Sequence, residues 1–184
     1  TIMKIKLFLL GIFCFALFLR FYMLASNPPA LNWDEAAWGY NAYTLGMTGK
    51  DEFGKFLPVV FLESFGDFKP PMYAYLSVLP VMVFGLNEFS IRFASALFGS
   101  LTVVIAYLLV LEIFPSSKHR KYLGLGTALL LAISPWHILL SRAAFEANVA
   151  TFFIVLGTFL FLFATREKKH LRLLFLSFLA FAAA

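Results

Sequence analysis

The cations of this chain gather in three short clusters separated by long apolar stretches, and that arrangement commits the chain to a membrane. Lys4 and Lys6 precede the first stretch, Lys118, Arg120 and Lys121 lie between two others, and Arg166, Lys168, Lys169 and Arg172 follow the next. Nearly every carboxylate falls in the remaining polar segments. Cytoplasmic loops of membrane proteins collect Lys and Arg, so the three clusters read as cytoplasmic. The same tendency puts Asp34, Glu35, Lys69, Arg92, Arg142 and Glu146 together beyond the opposite face of the bilayer.

Composition agrees. A hydrophobic share of 61% against 14% charged residues excludes an ordinary soluble domain. The formal net charge of +5 sits in the clusters that flank apolar helices. It therefore reads as orientation and contact with anionic lipid headgroups, and no nucleic-acid partner is expected. The single cysteine, Cys14, lies inside the first apolar run and allows neither a disulfide framework nor a Cys metal site. That run, 5–24, exceeds the ~7–15 residues of a signal-peptide core and lacks a cleavage motif, so it reads as an uncleaved anchor.

Four stretches are long enough to cross: about 5–25, 91–113, 122–140 and 146–165. A fifth, 171–184, stops short of the ~20 residues a span needs. Residues 1–184 thus read as the N-terminal part of one larger membrane-embedded domain. The apolar stretch 71–86 opens with Pro70-Pro71 and contains Pro80 and Gly85. Were it to cross, the second and third basic clusters would move to the side opposite Lys4 and Lys6. A surface or dipping helix keeps all three together, which leaves 26–90 as one extracytoplasmic loop. Asn32 or Asp34 can cap a helix over 35–47 in that loop, and a second helix is expected over 71–85. Residues 53–65 read as an irregular apolar segment. The expected fold class is all-α, a polytopic transmembrane helical bundle with juxtamembrane helices in its first extracytoplasmic loop.

Each charged residue has a bland use. Asp34 can cap a helix and Glu35 can favour its dipole. Neighbours on a helix point about 100° apart, so one acid faces a site and the other faces water or a second partner. Lys69 can pair with Asp67, Arg92 with Glu88, and Arg142 with Glu146. Arg20 reads as a snorkelling cation, Glu112 as a partner of Lys118, and His137 as an interfacial side chain. Jointly, acids and fixed cations opening on a lipid surface suit transfer of a sugar from a lipid phosphate. A carboxylate takes the acceptor's proton, and cations stabilise the phosphate as the glycosidic bond breaks.

Four segments in order carry a resemblance: Trp33-Asp34-Glu35-Ala36-Ala37-Trp38-Gly39-Tyr40, Lys69-Pro70-Pro71-Met72-Tyr73-Ala74-Tyr75-Leu76, Arg92-Phe93-Ala94-Ser95-Ala96-Leu97-Phe98-Gly99, and Ser134-Pro135-Trp136 through Arg142 and Glu146. They resemble polyprenyl-phosphate-sugar-dependent glycosyltransferases of the GT-C class, whose members include protein O-mannosyltransferases and the lipid A aminoarabinose transferase. The likeness covers roughly 5–165. It implies Asp34 as base with Glu35 as companion, Lys69 and Arg92 as donor-phosphate contacts aided by Arg142, and Glu146 where many relatives carry an acid, often Asp. Glu35 and Glu146 would shape the site or hold a divalent ion. The implied partners are a polyprenyl-phosphate sugar donor, a lipid, glycan or protein acceptor, and membrane lipids. The implied setting is a bacterial plasma membrane, with the site on the extracytoplasmic side and transfer by inversion. The rival readings are a transporter or lipid-handling scaffold, and a membrane anchor for chemistry encoded elsewhere. A transporter needs charges through mid-membrane, and these spans are apolar at their centres.

Overall fold

Asparagines and prolines divide the apolar chain where a helix needs a cap or loses a donor. The computed structural model describes residues 2–167 and 170–184, so Lys168 and Lys169 of the third basic cluster lie outside the described residues. Helix α1 spans Ile2–Phe21. Helix α2 spans Trp33–Thr48 and starts in a capping box: the Asn32 side chain accepts the Glu35 N–H, and the Glu35 carboxylate accepts the Asn32 N–H. Two short strands follow, β1 at Leu62–Ser64 and β2 at Asp67–Lys69, paired antiparallel with Leu62 opposite Lys69. Their turn holds Phe65 at φ 53° and Gly66 at φ 74°. Two consecutive left-handed residues match the twist of a tight hairpin, and only the glycine adopts that geometry freely. This hairpin replaces part of the irregular segment expected from sequence.

Pro70-Pro71 delays the next helix, α3, to Met72–Phe84, close to the expected 71–85. A second capping box, Asn87 with Ser90, starts α4 at Glu88–Ile113. The stretch 122–140, read as one span, is instead two helices, α5 at Arg120–Ile133 and α6 at Pro135–Arg142, bent by 57°. Pro135 has no N–H to continue α5, yet its fixed φ suits the first position of α6. Helix α7 runs Glu146–Glu167 and α8 His170–Ala182.

By length and composition α4 and the Glu146–Arg166 part of α7 can cross a bilayer, and the bent α5–α6 pair makes a third span if counted as one. Helix α1 carries Lys4 and Lys6 near its start and Arg20 near its end, with the apolar stretch 7–19 between them. The described fold is therefore an all-α membrane bundle with one small hairpin. Large apolar side chains such as Phe8 and Phe18 of α1 and Leu130 of α5 are exposed, as suits a surface solvated by lipid.

Helix α4 stands at the centre, in contact with α1, α2, α3, α5, α6 and α7. One core joins Trp38, Leu45, Leu62 and Tyr73 of the loop to Ile91, Ala94, Ala144 and Val149. Another joins Ile5 and Ala16 of α1 to Val103, Tyr107, Ala128 and Ala132. Small and polar residues bring the helices close. A Cβ at Gly99 would lie 2.7 Å from Ser141 Cβ, and nearby Asn148 Nδ2 donates to the Ser95 backbone oxygen at 2.9 Å. Such pairs hold membrane helices together, because lipid offers no alternative partner.

The charges divide between the two ends of this bundle. Ile5 and Lys6 lie beside Lys121, and Arg166 pairs with Glu112 at 3.1 Å near the end of α4. Glu112 thus bonds to Arg166 and not to Lys118 as expected. Arg92, at the start of α4, lies at the other end with Glu35 and Ala144.

Candidate active site

Asp34 and Glu35 occupy the first turn of α2, and the helix turns them apart. Glu35 is 1% exposed and accepts four hydrogen bonds. They come from Asn32 N (3.0 Å), Arg92 Nε (2.7 Å), Arg92 Nη2 (3.2 Å) and Ala144 N (3.1 Å). Arg92 is wholly buried. Its remaining donors reach the carbonyl oxygens of Leu24 (3.0 Å), Pro28 (2.9 Å) and Ala30 (3.0 Å). All five guanidinium N–H groups are therefore engaged. This corrects the expected roles of both residues. Arg92 has no donor left for a phosphate, and Glu35 has no free oxygen for a substrate or an ion. The pair instead ties α2 to α4 and to the turn before α7. The alternative partner Glu88 is not used.

Arg142 departs from expectation in the same way. Its Nη1 donates to the carbonyls of Leu19 (2.9 Å) and Arg20 (3.3 Å), and its Nη2 to those of Met23 (3.2 Å) and Asn27 (2.8 Å). It closes the C-terminal turn of α1, where carbonyls lack helical partners and a cation is favoured. It makes no ion pair with Glu146. Arg20, expected to snorkel, is buried. Its Nη1 donates to Ala132 O (3.3 Å) and its Nη2 meets His137 Nδ1 (2.7 Å).

Asp34 turns the other way and keeps 29% of its side chain exposed. Lys69 Nζ donates to Asp34 Oδ1 at 2.5 Å and to Asp67 Oδ2 at 2.8 Å. The Trp38 ring lies beneath the ammonium, its centroid 5.9 Å from Nζ. Burial pulls the Lys69 pKa down, but bonding and attraction to Asp34 and Asp67 outweigh it and hold Lys69 above the ordinary lysine value. The hydrogen bond from Lys69, then that from the Phe68 N–H, then the lysine charge hold Asp67 below the ordinary carboxylate value. The pairing of Lys69 with Asp67 is one the sequence offers, and the structure adds Asp34 to it. The i, i+2 spacing of Asp67 from Lys69 on an extended strand is the signal that pairs them on one face.

Pro70 and Pro71, which follow Lys69, help to wall a cavity of about 430 Å³ together with Val59, Val60, Met72, Tyr73, Tyr75, Glu146, Val149, Ala150 and Ala182–Ala184. Tyr73 Oη donates to Ile91 O at 2.9 Å and Tyr75 Oη to Pro58 O at 3.0 Å. Both phenols thus direct their protons into the protein. Glu146, half-buried at the start of α7, is the carboxylate of this wall. Among the described residues no group of three or more His, Cys, Asp or Glu side chains is placed to hold a metal ion. A divalent ion shared by Glu35 and Glu146 does not fit, because the Glu35 oxygens are saturated.

The cavity wall draws on two of the four segments singled out in the sequence, through Pro70-Pro71 and Glu146, and the Asp34–Lys69 pair ties the first segment to the second. The family model of the dolichyl-phosphate-mannose-protein mannosyltransferases matches residues 11–184. The chain belongs to this mannosyltransferase family. Two similar proteins of Aquifex aeolicus (strain VF5) are each described as an uncharacterized protein. One is 34% identical over 158 residues, covering 84% of this chain and 29% of that protein. The other is 29% identical over 134 residues, covering 66% of this chain and 31% of that protein. The chain thus spans less than a third of the length of these relatives. No solved structure gives a significant match. Membership makes the chain part of an integral membrane glycosyltransferase family, in agreement with the apolar helices.

Proposed function

We propose that this mannosyltransferase-family chain carries the donor end of the active site of a membrane enzyme. The enzyme moves a sugar from a polyprenyl phosphate to a hydroxyl acceptor on the extracytoplasmic face, with inversion. The observation that carries the reading is the ion pair of Asp34 with Lys69, the residue that leads into Pro70 and Pro71 of the cavity wall that also holds Glu146. Lys69 receives the donor phosphate, and its charge stabilises the leaving group as the sugar–oxygen bond breaks. Asp34, released from Lys69, takes the proton of the acceptor hydroxyl as that oxygen attacks the anomeric carbon from the opposite side. Glu146 faces the same space and orients polar groups of sugar or acceptor. Glu35, Arg92 and Arg142 touch no substrate. They fix the helix that presents Asp34 and the turn that presents Glu146. The acceptor is a lipid, a glycan or a protein, and the setting is a bacterial plasma membrane.

Substituting Asp34→Asn in the full-length protein keeps the shape of the side chain and removes the base. Transfer from a radiolabelled polyprenyl-phosphate sugar in host membranes should fall by about 10²–10⁴-fold, while membrane insertion stays intact. Turnover like that of the wild type would reject Asp34 as the base.

A further inference from the structure

We propose that Asp67 is the exchangeable counter-ion of Lys69, bonded to it until a donor phosphate takes its place. The inference rests on the reading that Lys69 receives that phosphate. One ammonium here serves two carboxylates, so the trio carries a net charge of minus one. An anion approaching Lys69 is repelled by this sum unless one carboxylate withdraws. The two differ in how easily they can do so. Asp34 sits on a capped helix whose next residue, Glu35, is clamped to Arg92 and Ala144. Asp67 sits on a three-residue strand one residue from the Phe65-Gly66 turn, with 67% of its side chain already exposed. Turning Asp67 into water costs little desolvation, and its Oδ1 contact with Phe68 N is local to the strand. The Trp38 face remains under the ammonium to hold its place after Asp67 leaves.

The exchange also prepares Asp34. A phosphate on Lys69 offers the ammonium a second strong acceptor, so the Asp34 bond is shared and its oxygen becomes available to the acceptor hydroxyl. Donor affinity is then a competition in which Asp67 is the built-in rival, and removing its charge should tighten donor binding. If Asp67 were only a brace for the hairpin, its loss would loosen Lys69 and weaken binding. The two roles predict opposite signs.

The test measures binding of undecaprenyl phosphate, a sugar-free carrier lipid, to the full-length protein in phosphatidylcholine nanodiscs. Asp67→Asn and Asp67→Ser should each bind it about two- to fivefold more tightly than wild type, the range expected for loss of one partly exposed ion pair. Asp67→Glu should restore wild-type affinity, and the gain should vanish when Lys69→Ala is added. If Lys69→Ala weakens binding while the neutral Asp67 variants bind equally or less well, the counter-ion role is overturned and the phosphate role of Lys69 stands. If Lys69→Ala binds like wild type, the phosphate role fails and the counter-ion role with it.

Discussion

Glu35 takes four hydrogen bonds away from water, while Asp34, one residue earlier, keeps part of its surface wet and meets a lysine. A buried carboxylate persists only with its lone pairs matched, and Arg92 matches them with a planar fork that a lysine cannot copy. Arg92→Ala would leave the Glu35 charge without its partner inside the protein. The expected loss is about 3–5 kcal/mol of stability, measured by thermal or denaturant unfolding of the purified full-length protein. A variant of normal stability that lost only donor binding would return Arg92 to the phosphate. Lys69 shows the contrasting case of a buried ammonium whose two carboxylate partners, Asp34 and Asp67, keep 29% and 67% of their side chains exposed.

Among the elements, the bent α5–α6 pair does the most to place the site. Pro135 stops α5, and α6 swings back so that its last residue, Arg142, closes α1 and the following turn delivers Ala144 N to Glu35. Close approach of α4 to α6 permits this path, and Gly99 permits the approach. Gly99→Val would push a branched side chain into Ser141 and crowd Asn148. The expected cost is about 1–3 kcal/mol of stability by thermal unfolding. Transfer should fall together with stability, because the displaced turn carries Glu146. A Gly99→Val protein as stable as wild type would show that α4 and α6 are not packed at this point. The hairpin is the second positioning element, since its register sets Asp67 and Lys69 on the side of Asp34.

Taken whole, the bundle separates a basic end from a site end along α4. The positive-inside tendency assigns the basic end to the cytoplasm. In a Cys14→Ala background, a membrane-impermeant maleimide should label Glu63→Cys in intact cells and reach Ser116→Cys only after permeabilisation. Both positions are exposed in the structure, so accessibility reports the side of the membrane. Labelling of both from outside would place α3 across the bilayer and part the site from the face proposed for it. With α3 short, proline-interrupted and packed on α2 and α4, the same-face arrangement is expected.

Chain-local properties were legible without coordinates. Apolar runs, basic clusters, the Asn32 cap and the Pro70-Pro71 start of α3 each depend on a few adjacent residues, and they determined the membrane class and the two loop helices. The partners of the arginines were not legible. Arg92 and Arg142 had acids four residues away in sequence, and both instead took groups more than fifty residues distant, Glu35 and the carbonyls of the α1 turn. In a dry interior a guanidinium is satisfied by whichever oxygens the packing brings to it, backbone carbonyls included, and a sequence pattern carries no mark of those. Only the tertiary structure could therefore separate Lys69, paired with the part-exposed Asp34 and the exposed Asp67, from the arginines that hold the scaffold closed.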